Sequence, residues 1–191
     1  MKMYDTWLSS PALSAAEKAE LENIKNDPKQ IEDRFYKDLE FGTGGLRGIL
    51  GMGTNRMNVY TVRRAAKGLA AYLLKAGAPE GKSGVAIAHD SRHFSREFAE
   101  DSAKVIANMG IQVYLFDSLR PTPELSFAIK HLNCAAGIVV TASHNPAEYN
   151  GFKAYGADGG QTPPDPADAV LAVMKQLDPL SIDLLPSLDS P

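Results

Sequence analysis

Residues 141–153 concentrate side chains that can do chemistry, reading Thr-Ala-Ser-His-Asn-Pro-Ala-Glu-Tyr-Asn-Gly-Phe-Lys. They follow the apolar run 136–140, which is typical of a buried strand, so the pattern predicts a loop at that strand's carboxyl end. Asn145-Pro146 and Asn150-Gly151 are turn dipeptides that limit the freedom of this loop. A hydroxyl, an imidazole, two amides and an ammonium held together in this way suit transfer of a phosphoryl group to and from Ser143.

A free serine is a weak nucleophile, and the usual remedy is an adjacent base, for which His144 is the obvious candidate. A serine hydrolase is nevertheless disfavoured. Neighbouring side chains on an extended loop point apart, and the sequence has no Gly-x-Ser-x-Gly elbow. Serine, asparagine and proline are also ordinary loop formers, so any one of these residues taken singly is explained by loop structure.

A second segment stands out because six glycines lie between residues 42 and 53. This density predicts backbone that turns sharply or approaches another group closely. Residues 42–48, Gly-Thr-Gly-Gly-Leu-Arg-Gly, invite comparison with nucleotide-binding loops, but they follow a helical pattern and no Gly-Lys-Ser/Thr appears. A structural glycine bend is the stronger alternative. We favour a third interpretation, in which Arg47 presents its guanidinium group to a phosphate.

From residue 84 onward the pattern alternates between strand and helix. The predicted strands are 85–88, 111–116, 136–140 and, as an antiparallel addition, 152–155; the predicted helices are 59–76, 95–109, 123–132 and 167–177. Alternation of this kind implies right-handed crossovers and a largely parallel sheet. We therefore predict an α/β fold of three layers, with a mainly parallel (mixed) sheet covered by helices on both faces. Ligands bind beyond the carboxyl ends of such strands, where residues 89–92, 117–120 and 141–145 should converge.

The chain divides into three predicted parts. Residues 1–40 form a helical arm, in which Ser14 and Glu17 have capping-box spacing and Asp27-Pro28 starts another helix. Residues 41–178 form the α/β domain. Residues 179–191 are weakly patterned and are predicted to be a linker or trimmed tail.

Composition limits the partners of the chain. The 191 residues carry a formal net charge of −3 without a polybasic run, so neither a nucleic acid nor a membrane surface is expected as a partner. A small anionic ligand stays compatible. The one cysteine, Cys134, cannot form an internal disulfide, and no apolar segment is long enough to span a bilayer. We expect a cytoplasmic protein.

The two motifs together resemble one family. Thr-Ala-Ser-His-Asn-Pro followed by Tyr-Asn-Gly-Phe-Lys is similar to the active-serine loop of the phosphohexomutases, the phosphoglucomutases and phosphomannomutases. Gly-Thr-Gly-Gly-Leu-Arg-Gly resembles the segment that opens the first domain of the larger phosphoglucomutases and phosphopentomutases. The resemblance covers roughly residues 35–165 and implies the catalytic-serine domain, the first of four in that family.

The resemblance implies a mechanism. Ser143 would be stored as phosphoserine, donate its phosphoryl group to a hexose or pentose monophosphate, and recover the other phosphate from a bisphosphate intermediate. Glucose or mannose 1-phosphate would become the 6-phosphate, with glucose 1,6-bisphosphate as the activator. Mg²⁺ would bind one phosphoserine oxygen at Ser143, and its remaining ligands are expected in a missing second domain, so the isolated chain should be inactive.

The resemblance also implies roles for individual residues. Arg47 would clamp the phosphoryl group, Lys153 would act as general acid/base with His144 assisting, and Asn145 would set the geometry of the loop. Thr43, Gly44, Gly45, Asp90 and Arg92 are the further phosphate- or substrate-binding residues, and Arg92 would hold either the serine loop or its phosphate. An ion pair between Asp90 and Arg92 across a turn explains those two residues equally well. Phosphopentomutase activity, a non-catalytic phosphate-binding module and a nucleotide-binding α/β domain are the alternatives.

Overall fold

The computed structural model describes residues 2–42 and 44–188, so Thr43 lies outside the described residues. In chain order the elements are α1 (Lys2–Ser9), α2 (Ala15–Asn23), α3 (Pro28–Phe35), β1 (Gly45–Ile49), α4 (Val59–Ala76), β2 (Val85–His89), α5 (Ser95–Asn108), β3 (Val113–Leu115), α6 (Thr122–His131), β4 (Ala136–Val140), β5 (Tyr149–Gly156), α7 (Pro164–Met174) and a 3-10 turn (Pro179–Ser181).

A five-stranded sheet in the order β1-β5-β4-β2-β3 forms the middle layer. β2 pairs in parallel with β3 and with β4, whereas β5 runs antiparallel to both β4 and β1. Strands β2 and β4 are buried along their whole length, as expected for strands covered on both faces. The predicted α/β fold with a mixed sheet is confirmed. Strand β1, which the sequence pattern did not reveal, adds the second antiparallel pairing.

Helices cover both faces of this sheet. On one face Ile87 and Ile138 pack in a cluster with side chains of α4, α5 and α7. On the other face Ala88 and Val139 pack with side chains of α6. Successive residues of β2 and β4 thus serve opposite layers, as the strand period of two requires. Burial of this apolar surface, at about 25 cal/mol per Å², is the main stabilising contribution to the fold.

Helices α1 to α3 form a separate layer at the N-terminus, centred on Trp7. The indole is 1% exposed, and it meets the rings of Phe35 and Tyr60 edge to face at centroid distances of 5.8 and 5.6 Å. Such aromatic pairs add about 0.5–1.5 kcal/mol each beyond the area they bury. The capping box of Ser14 and Glu17 is present at the start of α2, as predicted. The arm is therefore attached to α4 through Tyr60.

Two glycine-containing segments that the sequence suggested as bends are strands. Gly45 begins β1 opposite Lys153, and a Cβ added at Gly45 would overlap the carbonyl oxygen of Phe152. Gly151 lies inside β5, where an added Cβ would be 2.6 Å from the carbonyl oxygen of Thr141. The predicted turn at Asn150-Gly151 is wrong, because the glycine permits close approach of two backbones rather than a change of direction.

The C-terminal residues also differ from the weak pattern of their sequence. Ile182 is buried in the main core, and the amide of Leu185 donates to the carbonyl oxygen of Lys104 at 3.3 Å. The segment therefore packs on α5 at least as far as Leu185. Among the described residues, none of the helices combines the length and the apolar character needed to cross a bilayer.

We predict that Gly45→Ala lowers the free energy of unfolding by about 2 kcal/mol or more, because the new methyl group can be accommodated only if β1 moves away from β5. Gly42→Ala is the matched control, since a Cβ there meets no heavy atom within 4 Å. Urea denaturation of both variants measures the difference. Equal stability of the two variants would contradict the tight packing of β1 on β5.

Candidate active site

The predicted convergence of polar residues occurs at the carboxyl edge of β2 and β4. His89 and Val140 are partners in the parallel pairing of these strands, so the segments that follow them leave the sheet side by side. Asp90 and Arg92 follow β2, and the loop that carries Ser143 follows β4. The third polar segment lies next to them, because the amide of Arg120 donates to the carbonyl oxygen of His89 at 3.0 Å. The guanidinium group of Arg120 forms ion pairs with Asp117 in the same turn and with Glu124 in α6.

Arg92 holds the serine loop from behind. Its two terminal nitrogens donate at 2.5 to 3.0 Å to four carbonyl oxygens, those of Ser143, Asn145 and Pro146 in that loop and that of Tyr149, the first residue of β5. The remaining nitrogen, Nε, lies 3.6 Å from Oδ2 of Asp90. An arginine side chain has five N–H donors in a fixed planar fork. These four hydrogen bonds to carbonyl oxygens therefore use most of the donors of Arg92. The geometry supports the loop-holding role for Arg92 over direct contact with a phosphate.

Asp90 in turn fixes the segment that carries Arg92. Its Oδ1 accepts a hydrogen bond of 2.9 Å from the backbone N–H of Arg92. The carboxylate thus orders the turn and also faces the guanidinium group that the turn presents. The pairing of Asp90 with Arg92 across a turn, one of the two interpretations of these residues, is observed.

Ser143 sits at the outer end of the held loop with its side chain exposed. Its backbone is left-handed, with φ of 57°, and its N–H donates to Oγ1 of Thr141 at 2.9 Å. Because the chain turns here, the Ser143 hydroxyl comes within 3.4 Å of Nδ1 of His144, and these neighbouring side chains do not point apart as an extended loop would require. The distance is long for a hydrogen bond between a nucleophile and its base.

Arg47 reaches the same loop from β1. The strand is at the edge of the sheet, Arg47 is exposed, and its terminal nitrogen donates to Oδ1 of Asn145 at 2.9 Å. Asn145 therefore contacts both arginines, Arg47 through its side-chain oxygen and Arg92 through its carbonyl oxygen. This arrangement fits the loop-setting role expected of Asn145.

Lys153 lies on β5, opposite Gly45 of β1. Partial burial lowers the pKa of the ammonium group below its ordinary value of 10.5, the nearby positive charge of Arg47 lowers it further, and the negative charge of Asp90 acts in the opposite direction. A lowered pKa increases the fraction of neutral amine near pH 7, which is the form that accepts a proton.

Two cavities contain predicted site residues. One, of about 420 Å³, lies between residues 90–93 and the loop residues Ser143, Asn145 and Ala147. The other, of about 370 Å³, is lined by Arg47, Lys153 and Gly45 together with residues from the end of the helical arm. Predicted site residues thus divide between the two cavities, with Ser143, Asn145 and Arg92 lining the first and Arg47 and Lys153 lining the second. Gly44 contributes backbone, since its carbonyl oxygen accepts the N–H of Ala154 at 2.7 Å.

The described residues around the serine loop offer few ligands for a divalent metal ion. Among residues 2–42 and 44–188, no three His, Cys, Asp or Glu side chains come together in a way that could hold an ion. Asp90 borders the loop, but its oxygens are engaged with Ser95 and with the segment that carries Arg92. Mg²⁺ prefers six oxygen ligands and usually takes carboxylates in addition to phosphate, so the described residues do not complete its shell.

Sequence reasoning missed two polar residues directly behind the site, Ser95 and Asn150, both fully buried. Ser95 gave no signal, because a serine at the start of a helix is common for local reasons. Asn150 could have been found, since an asparagine inside the strand-like run 149–155 needs a buried partner.

Known proteins resemble this chain in both sequence and fold. Residues 38–180 match the model of phosphoglucomutase/phosphomannomutase, alpha/beta/alpha domain I. A phosphoglucomutase of Staphylococcus aureus (strain bovine RF122 / ET3-1) is 47% identical over 153 residues, which cover 80% of this chain and 27% of that protein. A Thermus thermophilus protein assigned as a phosphomannomutase shares the fold with a TM-score of 0.65 and 36% identity, over 72% of this chain and 30% of the other. The chain therefore spans about a quarter of the curated relative.

A more distant structure shows the fold alone. The phosphoglucomutase pp63/parafusin of Paramecium, in its open form, superimposes with a TM-score of 0.60 at 23% identity, over 74% of this chain and 27% of the other.

We predict that Ser143→Gly is more stable than Ser143→Ala by about 1 kcal/mol in free energy of unfolding, because glycine adopts a left-handed backbone without the steric penalty of a Cβ. Both variants lack the hydroxyl group, so the comparison isolates the backbone term. Thermal or urea denaturation provides the measurement. An alanine variant as stable as the glycine variant would show that Ser143 is not held in a left-handed conformation.

We predict that Lys153 titrates below 10.5, whereas Lys37, which lines the same cavity, titrates above that value because it donates to Glu40. Between the lowered pKa and 10.5 the unfolded chain binds more protons at Lys153 than the folded chain, so this lysine makes the folded state more stable as pH rises through that window. NMR titration of the lysine side chains tests whether the pKa of Lys153 is lower than that of Lys37. Arg47→Gln should raise the pKa of Lys153, and an unchanged value would contradict the proximity of the two cations.

Proposed function

The chain belongs to the phosphoglucomutase/phosphomannomutase family, and on this premise we propose that it is the phosphoserine domain of a phosphosugar mutase. The whole protein would interconvert glucose or mannose 1-phosphate and the 6-phosphate through a bisphosphorylated sugar. The names of the similar proteins favour hexose phosphates over the pentose phosphates of the phosphopentomutase alternative. The domains that complete the curated relatives would be its partners.

The observation that carries the proposal is the geometry of Ser143. An exposed hydroxyl is held at a left-handed turn whose carbonyl oxygens are fixed by Arg92, while Arg47 contacts the same loop two residues farther on. A transferring phosphoryl group must be aligned with its donor and acceptor, and its charge must be neutralised. A fixed serine beside an accessible guanidinium group meets both requirements.

Bonds and protons balance in the proposed transfer. The bond between Ser143 Oγ and phosphorus breaks while a sugar hydroxyl oxygen forms a new bond to phosphorus. That hydroxyl loses a proton and Ser143 Oγ gains one. We assign the first proton transfer to Lys153, whose pKa is lowered by partial burial and by the charge of Arg47, and assistance with the second to His144, whose Nδ1 is 3.4 Å from Ser143 Oγ. The reverse sequence returns the other phosphate to Ser143.

The remaining residues are proposed to bind or to position. A phosphoserine carries about −1.5 to −2 charges at pH 7, and we assign its neutralisation to Arg47, an exposed guanidinium group that contacts the same loop at Asn145. Asp90 and Arg92 act through the shape of the loop. Gly44 and Gly45 bring the backbone of β1 against β5, and Thr43 remains a proposed phosphate contact for which no geometry is described.

Mg²⁺ is part of the proposal for the whole protein, with one phosphoserine oxygen at Ser143 as this chain's contribution. Because the described residues do not complete an octahedral shell, the other ligands would belong to the remaining domains. Glucose 1,6-bisphosphate is the proposed activator, since it can charge Ser143 with phosphate. A cytoplasmic location is retained as a proposal with the rest.

We predict that the full-length protein gains the mass of one phosphate after incubation with glucose 1,6-bisphosphate, and that Ser143→Ala abolishes the gain, because Ser143 is the proposed carrier of the phosphoryl group. Intact-mass spectrometry is the measurement, and Ser91→Ala, an exposed serine on the neighbouring segment, is the matched control. Phosphate that persists in Ser143→Ala would overturn the assignment. Binding of phosphate without any covalent mass would favour the non-catalytic phosphate-binding module.

A further inference from the structure

Two fully buried polar side chains connect different elements behind the serine loop. Ser95 is the first residue of α5, Asn150 is the second residue of β5, and each has 0% of its surface exposed. Burying a hydroxyl or an amide is unfavourable unless its hydrogen bonds are made inside the protein. The hydrogen-bond partners of these two side chains therefore indicate which part of the structure they hold in place.

The hydrogen bonds form a single chain. Nδ2 of Asn150 donates to Oγ of Ser95 at 3.0 Å and to the carbonyl oxygen of His93 at 2.9 Å. Oγ of Ser95 donates to Oδ1 of Asp90 at 2.7 Å, and the same Oδ1 accepts the N–H of Arg92. The network runs from β5, through the first turn of α5, to the segment that presents Arg92.

The far end of this chain is the backbone of Ser143 itself. Arg92 faces Oδ2 of Asp90 and donates to the carbonyl oxygen of Ser143 at 2.9 Å. If the Ser95 hydroxyl is removed, Asp90 loses one of its donors and the Asn150 amide loses one of its acceptors. The unpaired amide of Asn150 is costly because it is fully buried. The Asp90 side chain is 28% exposed, so once the Ser95 hydroxyl no longer fixes it, its carboxylate is expected to reorient toward solvent and release Arg92.

We propose that Ser95 and Asn150 are positioning residues for phosphoryl transfer at Ser143. They touch neither phosphate nor sugar; they hold Asp90, which holds Arg92, which fixes the carbonyl oxygens around the serine. The inference rests on the proposed function of Ser143 as phosphoryl carrier. A displacement of about 1 Å at a reacting group can reduce a rate by about 100-fold, so small relaxations of this network have measurable effects.

Ser102 provides a matched control on the same helix. It is also 0% exposed, and its hydroxyl also donates a 2.7 Å hydrogen bond, but the acceptor is the carbonyl oxygen of Phe98 within α5. Ser95→Ala and Ser102→Ala therefore delete the same group at the same burial. Only in Ser95→Ala does the lost hydrogen bond belong to the network that connects to the serine loop.

In the full-length protein we expect Ser95→Ala to lower kcat by about 10- to 100-fold with KM changed less than about threefold, because the substrate contacts are untouched. Ser102→Ala should leave both constants near wild type, and Ser95→Thr, which keeps the hydroxyl, should recover most of kcat. The double variant Ser95→Ala with Asn150→Ala should be little worse than the more impaired single variant, because both act along one path.

Amide hydrogen exchange provides a readout that does not depend on activity. In Ser95→Ala the amides of Ser143 and Asn145 should exchange about tenfold faster relative to those of β4, whereas in Ser102→Ala loop and strand should change together. Equal behaviour of the two alanine variants, in kcat or in loop exchange, would overturn the inference. A wild-type Ser143 that accepts no phosphate would overturn the proposed function instead, and the exchange data would still decide whether the network holds the loop.

Discussion

The structure of the site depends on one partly buried cation. The loop between β4 and β5 is irregular, so its carbonyl oxygens need partners from elsewhere. Arg92 supplies donors to three of them and to the carbonyl oxygen of Tyr149, the first residue of β5. A lysine has one rotatable ammonium group and could not reach four acceptors with fixed directions. Over-determination of this kind is what allows Ser143 to remain left-handed, because an isolated serine would relax to another backbone conformation.

The antiparallel half of the sheet brings two cations, Arg47 and Lys153, to this loop. β5 leaves the loop and turns back along β4, so Lys153 returns beside the segment from which the chain has just departed. β1 then pairs with β5 and places Arg47 opposite Gly151. Close approach of these backbones requires glycine at 45 and 151, and the glycine-rich motif therefore acts through packing as well as through its arginine. The parallel half positions the serine, and the antiparallel half positions the charges.

The sequence predicted elements whose pattern is strong and local. The bounds of α4 and β4 agree with residues 59–76 and 136–140, because each has an uninterrupted apolar period or run. Prediction from the sequence failed where a tertiary contact determines the local structure. Burial alternates along β1, but its residue types do not show it, since glycine occupies the buried position 48 and the apolar Ile49 is exposed. Asn150 reads as a turn former until its buried partner is known. Convergence of the site could be predicted from topology. The resemblance left two roles open for Arg92, holding the loop or its phosphate, and the sequence could not decide between them because carbonyl acceptors are invisible in a sequence.

Asn145 determines which arginine would respond to a phosphoryl group on Ser143. Its side-chain oxygen accepts a hydrogen bond from Arg47, and its carbonyl oxygen is one of the four that accept hydrogen bonds from Arg92. A phosphate oxygen forms a stronger charge-assisted bond than a neutral amide oxygen does, so Arg47 can exchange the amide oxygen of Asn145 for a better partner. Arg92 would have to release several loop carbonyls and move away from Asp90 to do the same. The two arginines therefore divide the work, because one is committed to the backbone and the other remains exchangeable.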